Sequence, residues 1–166
     1  MAITISGSTG VAGVDGSAGT PALQGTDTNT GIYYGADIIY GSAGGTQKFR
    51  VDSTGIYAPA NAAAAIIGLT DAATIAVDMS LGNNFSVTLA GNRTLGNPTN
   101  LTAGQSGIIF LTQDATGSRT LAYSSYWKFP NGVAPVLTTT ASAVDAIIYT
   151  VRSTTSITCN YALNIG

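Results

Sequence analysis

Apolar residues recur at every second position through most of the C-terminal half of this chain. Ile75, Val77 and Met79 alternate with Ala76 and Asp78, and Phe85, Val87 and Leu89 with Ser86 and Thr88. The same period runs through Ile147, Tyr149 and Val151, and again through Ile157, Cys159, Tyr161, Leu163 and Ile165. Successive side chains of a strand point to opposite faces, so each stretch predicts a half-buried β-strand. Ile108-Ile-Phe-Leu111 is continuously apolar and predicts a strand buried on both faces. A further short strand is expected at Thr120–Tyr123, after a Thr-Gly-Ser-Arg turn. Short strands punctuated by Gly, Asn and Pro, with no convincing helical stretch, predict an all-β fold. The expected architecture is a β-sandwich or jelly-roll-like domain over residues 73–166. Its core should set Phe85, Val87 and Leu89 opposite Ile108, Phe110, Tyr149 and Val151.

The N-terminal half reads differently. Residues 25–58 predict a small β module. Asp27 and Asn29 are placed for a turn, and Ile32–Tyr40 reads as a strand pair or bulged strand broken at Gly35. After a turn at Gly41–Gly45, Thr46–Val51 alternates, with Phe49 and Val51 on one face and Lys48 and Arg50 on the other. Residues 59–72 are alanine-rich and serve as a connector, either a short helix or a connecting strand. Residues 1–24 are mostly Gly, Ser, Ala and Thr, and only Ile3, Ile5, Val11, Val14 and Leu23 could bury much. Ordering a residue costs about 1–2 kcal/mol, more than five apolar side chains can offset over that length. Two expectations stand: a flexible linker, or an extended attachment arm ordered only against another subunit. The alternating Ile3-Thr4-Ile5 supports the arm.

Composition narrows the chemistry. The 166 residues hold six Lys or Arg, eight Asp, no Glu, no His and one Cys. A typical domain would carry roughly 25% charged residues against 8% here. Most general acid–base catalysis and tight transition-metal binding draws on the missing types. A net charge of −2 gives no field for nucleic acid. The longest near-apolar stretch, Ala62–Leu69, falls far short of the roughly 20 residues of a membrane helix. The start lacks the positive n-region and cleavage site of a secretory signal, so synthesis in a cytoplasm is expected. So few charges suit a chain whose surfaces are covered by copies of itself. Cys159 alternates with Ile157 and Tyr161 and is expected to be a buried small hydrophobe.

Asp27-x-Asn29-x-Gly31 begins like a calcium loop, but Ile38 stands where the twelfth-position glutamate belongs, which leaves an Asx turn. Asp52, Asp71, Asp78, Asp114 and Asp145 fall in separate expected elements and form no recognisable pair. No His is present to activate a serine, and neither Lys48 nor Lys128 has a supporting motif. No enzyme activity, metal or cofactor is therefore expected. Aromatics are the remaining means of binding: Tyr33, Tyr34 and Tyr40 in the first module, and Tyr123, Tyr126, Trp127 and Phe129 in the second. Tyr33, Tyr34, Tyr126 and Trp127 are the candidate glycan contacts, since exposed rings beside Asn and Ser suit sugars. Trp127 and Phe129 also fit a plug at one end of the core.

Two sets of short motifs carry a resemblance. Asp27-Thr-Asn-Thr-Gly-Ile-Tyr33, followed by Gly44-Gly-Thr-Gln-Lys-Phe-Arg-Val-Asp-Ser-Thr-Gly55, resembles a module of tailed-bacteriophage fibres and other virion appendages. Gly91-Asn-Arg-Thr-Leu95, Pro98-Thr-Asn-Leu101, Gly104-Gln-Ser-Gly107 and Gln113-Asp-Ala-Thr-Gly-Ser-Arg-Thr-Leu121 are similar, in that order, to a second phage structural module. Trp127-Lys-Phe-Pro-Asn-Gly132 and Ala143-Val-Asp-Ala146 continue the match. The resemblance implies a non-enzymatic virion protein, assembled as a homotrimer in the host bacterial cytoplasm. The chain is shorter than most tail fibres and has no heptad stretch, which favours a short head or tail fibre or a decoration protein. The expected partners are copies of itself and other virion proteins of the capsid, neck or tail, with a host-surface glycan as the alternative, and neither nucleic acid nor membrane.

Overall fold

The alternating stretches become strands. In the computed structural model, which describes residues 13–59 and 62–166, the protein is nearly all β, with only two single-turn 3-10 segments at Met79–Leu81 and Pro130–Gly132 among those residues. Ile3, Ile5 and Val11 lie outside the described residues. The chain divides between Ala63 and Ala64 into two units.

The first unit is an antiparallel meander in which each strand pairs with the next: β1 (Leu23–Gln24), β2 (Gly31–Gly35), β3 (Ile38–Ala43), β4 (Thr46–Asp52) and β5 (Gly55–Tyr57). Gly44 and Gly45 both have positive φ, as a two-residue turn twisted to match its strands requires. This turn is clamped to the β1–β2 loop, because Gly45 N–H donates to the Asn29 carbonyl (2.9 Å) and Gly44 N–H to Thr30 Oγ1 (3.1 Å). The Asx turn is present, with Asn29 N–H donating to Asp27 Oδ1 at 3.2 Å. Leu23, assigned from the sequence to the arm, is a strand residue paired with Ile32. Just upstream, the Tyr34 N–H donates to the Asp15 carbonyl at 2.8 Å.

The second unit contains β6 (Ile66–Gly68), β7 (Thr74–Ile75), β8 (Asn84–Leu89), β9 (Arg93–Leu95), β10 (Ser106–Gln113), β11 (Leu121–Tyr123), β12 (Trp127–Lys128), β13 (Val144–Ser153) and β14 (Ser156–Ala162). The chain passes back and forth between two sheets. β6, β8 and β10 lie side by side in parallel in the larger sheet, and β7, β9 and β11 do the same in the smaller. The result is a coil wound three times. β13 then pairs antiparallel with β10, and β14 with β13, while β12 runs parallel to β14 at the edge. β6 falls within the stretch read from the sequence as a connector.

Winding stacks like positions. Ile67 pairs with Phe85 and Phe85 with Ile109, while Ile75 pairs with Leu95 and Leu95 with Tyr123. Residues of both sheets enclose one core in which Phe85, Leu89, Ile109, Ile147 and Ile75 are fully buried, with Tyr149 and Val151. The expected Phe85–Phe110 packing is corrected. Because Phe85 is in register with Ile109, the inward positions of β10 belong to Ile109 and Leu111, and Ile108 and Phe110 are half-buried on the outer face. A register one residue from the expected one exchanges the two faces.

Candidate functional site

The motif residues meet at the corners of the coil, where a wound chain leaves backbone groups unpaired. The Gln105 side-chain amide donates to the carbonyls of Met79 (2.8 Å) and Gly82 (3.0 Å) and to Asn83 Oδ1. Gln113 closes the Asp114–Arg119 turn with both ends of its side-chain amide, donating to the Arg119 carbonyl and accepting from the Arg119 N–H at 2.8 Å. Asn92 Oδ1 accepts from the Thr120 N–H, which ties the second winding to the third.

The aspartates do similar work. Asp71 grips Arg93 through both oxygens, and Asp114 takes Arg119 on one oxygen and the N–H groups of Thr116 and Gly117 on the other. These guanidinium hydrogen bonds hold the Asp71 and Asp114 carboxyls below the usual carboxylate range. Asp78 is lowered chiefly by the Asn100 amide and then by Ser80, whose N–H it caps; Asp52 is lowered chiefly by the Thr54 hydroxyl. Asp145 is buried and accepts from Thr138 N–H, Thr138 Oγ1 and Asn164 N–H. Each of these five carboxylates is engaged in holding backbone. Among the described residues no three of His, Cys, Asp and Glu converge to hold a metal ion, and no helix is long and apolar enough to cross a membrane.

The candidate glycan contacts separate. Tyr33 and Tyr34 are consecutive strand residues and point to opposite faces of the first sheet. Tyr33 stacks on Tyr40, with ring centroids 4.6 Å apart, in a cross-strand row that continues through Arg50, whose guanidinium sits over the Tyr57 ring. Tyr34 belongs to the other face and is exposed. Trp127 is buried, so its ring is a wall of the core and not a free platform; its indole N–H donates to the Gly96 carbonyl at 2.8 Å. Tyr126 is half-buried, and its N–H is held by Asn97 Oδ1 at 2.9 Å. Val14, assigned to the arm, is exposed.

Around the β11–β12 turn lies an open cleft of about 320 Å³, lined by Tyr123, Ser124, Ser125, Trp127, Lys128 and Phe129 among others. Tyr123 and Phe129 meet edge to face at 4.7 Å. Asn97 shapes the rim by donating to Ser125 Oγ. The Tyr123 hydroxyl is buried and finds no hydrogen-bond partner among the described residues. Burial raises its pKa, with the Asp145 charge adding to the effect, so the phenol stays protonated. Leaving such a donor unsatisfied costs the fold about 1–3 kcal/mol. Apolar walls with hydroxyls and an ammonium at the mouth suit a neutral polar ligand with a flat apolar face. The sequence placed Tyr123 in this aromatic cluster, but nothing in it marked the hydroxyl as unpartnered or Asn97 as the strut of the rim.

Compared with known proteins, residues 69–153 match the family described as Putative phage tail fibre C-terminal domain. The match covers most of the coil and includes the corner residues Arg93, Gln105, Gln113 and Arg119. No curated protein and no solved structure gives a significant match.

Proposed function

The chain belongs to the phage tail fibre C-terminal domain family, and from that premise we propose that it is a non-enzymatic structural protein of a tailed-phage virion. In this reading three copies form a short fibre or decoration on the particle surface, attached to other virion proteins of the capsid, neck or tail. The observation that carries the reading is the match itself, because it falls on the residues that hold the coil's corners. Gln105, Gln113, Asp71–Arg93 and Asp114–Arg119 are spent on fixing backbone, which is what a rigid exposed body requires. The scarcity of His, Glu and Cys agrees with a role met by shape. Electron microscopy of purified particles with an antibody to this chain tests the proposal. Labelling at a fixed position on head or tail is expected; unlabelled particles from a lysate that contains the chain would refute it.

A second reading, in which the protein grips a host-surface glycan, is favoured by one observation: the cleft beside the β11–β12 turn sets the Ser124 and Ser125 hydroxyls and the Lys128 ammonium beside aromatic side chains. Ser125→Ala removes one exposed hydroxyl of that cleft. It should leave the fold nearly as stable, while weakening glycan binding by about tenfold, the equivalent of one hydrogen bond. A wild-type protein that binds neither a glycan array nor host cells, or a variant that binds equally well, would dispose of this reading.

A further inference from the structure

The first unit is a sheet without a core. Among its described residues only Pro21, Gly41 and Ser42 are buried, and every large side chain of the buried hydrophobic core belongs to the second unit. A lone sheet with nothing packed on its faces is marginal in water, since strands gain stability chiefly by burying one face against a second layer.

The apolar side chains of this unit are gathered on one face. Leu23, Ile32 and Phe49 lie on it around Gly41, where the Phe49 ring covers the space a Cβ would fill. The next cross-strand row is Tyr34, Ile39, Val51 and Ile56. Ile56 is 81% exposed, Leu23 55% and Ile39 46%, and Tyr34, Phe49 and Val51 are also open to solvent. Neither row contains a charged residue, because Arg50 and Asp52 are one step out of phase and belong to the opposite face. The face offers ~500 Å² of apolar surface, which with a polar rim approaches the roughly 800 Å² per partner of a standard interface.

We propose that copies of this chain join through this face, the apolar faces of three sheets turned inward on one another, so that neighbouring copies supply the layer each lacks. The occupant follows from composition. An uncharged face meets its own copy without like-charge repulsion, and offers a charged partner nothing to pair with. A second copy brings an equal set of side chains, whereas residues 1–12 hold only Met1, Ile3, Ile5 and Val11 as larger apolar residues, too few to cover both rows. The inference deepens the proposed function, on which it rests for copies being held together on a particle, but it can be measured on the purified chain.

The experiment is sedimentation velocity of the full chain and of Ile56→Lys, Ile39→Thr and Tyr57→Ser. Tyr57 lies on the opposite face and serves as the control. The single tryptophan, Trp127, is buried in the second unit, so its emission reports whether that unit stays folded. Wild type and Tyr57→Ser should be oligomeric at micromolar concentration. Ile56→Lys and Ile39→Thr should dissociate at least 100-fold more readily with unchanged Trp127 emission. A monomeric wild type, or both face variants assembling as wild type does, would overturn the inference. A monomer that binds an apolar dye only after residues 1–12 are removed would assign the face to that segment instead. If the chain is found on particles while the variants assemble normally, this inference alone fails. If the variants dissociate but particles lack the chain, the proposed function alone fails.

Discussion

Phe85→Ala tests the wound core at its centre. The ring is fully buried and its position pairs with Ile67 on one neighbouring strand and Ile109 on the other. An aromatic side chain buries about 150–250 Å², and at about 25 cal/mol per Å² the part removed on truncation accounts for about 3–4 kcal/mol. A cavity between two fixed strands of a parallel ladder collapses poorly, so the cost should fall at about 3–5 kcal/mol. For a unit of this size that lowers the melting temperature by about 15–30 °C. Urea denaturation followed by Trp127 fluorescence measures it, and the slope against denaturant shows whether unfolding remains two-state. Phe110→Ala is the internal comparison. One residue from Ile109 but on the outer face, it should cost about 1 kcal/mol. If Phe110→Ala proved the more damaging of the two, the β8–β10 register would be wrong and the reasoning with it.

Acid should unfold the protein where neutral pH changes do nothing. The carboxyls of Asp52, Asp71, Asp78 and Asp114 are lowered in the fold, so their stabilisation is complete above the unfolded value of about 4 and is lost as pH falls through the folded values. With no His or Glu to titrate, the melting temperature should be flat from about pH 5 to 7.5 and fall below about pH 4; a drop near pH 6 would contradict this. At Gly107 an added Cβ would collide with the Asn83 carbonyl oxygen, which already accepts from Tyr149 Oη at 2.7 Å. Gly107→Ala should therefore cost about 3 kcal/mol by thermal denaturation, while Gly68→Ala, facing open space, should stay within about 1 kcal/mol; equal effects would be the contrary result. Burial pushes the Cys159 thiol up to about 12, so a thiol reagent at pH 8 should react only after denaturant is added, and prompt labelling of folded protein would show the site to be open.

Alternation made the strands legible where one face is buried and the other wet. Phe85-x-Val87-x-Leu89 and Ile147-x-Tyr149-x-Val151 are strands whose inward residues are the expected ones. The apolar run of β10 was not legible in this way, because both faces carry apolar residues and only the partner strand says that Ile109 and not Phe110 turns inward. Winding was hidden for a related reason. A half-buried parallel strand and a half-buried antiparallel strand have the same period, so alternation names the faces and not the neighbour. The corner residues were visible as motifs, but that the Gln105 amide spans two carbonyls and the Asn83 side chain depends on the fold around it. Tyr33 and Tyr34 look like one cluster in sequence and occupy opposite faces, since adjacency along a strand separates side chains. The unpartnered Tyr123 hydroxyl had no signal at all, because an unmade hydrogen bond is a property of surroundings.

If the chain is the proposed structural subunit of a virion surface fibre, it stays with the particle through purification, which quantitative mass spectrometry of gradient-purified particles, calibrated against a major capsid protein, measures. Peptides from both the first and second units should be present at a copy number per particle divisible by three. Intact, infectious particles without these peptides, with the chain left in the soluble fraction of the lysate, would contradict the account.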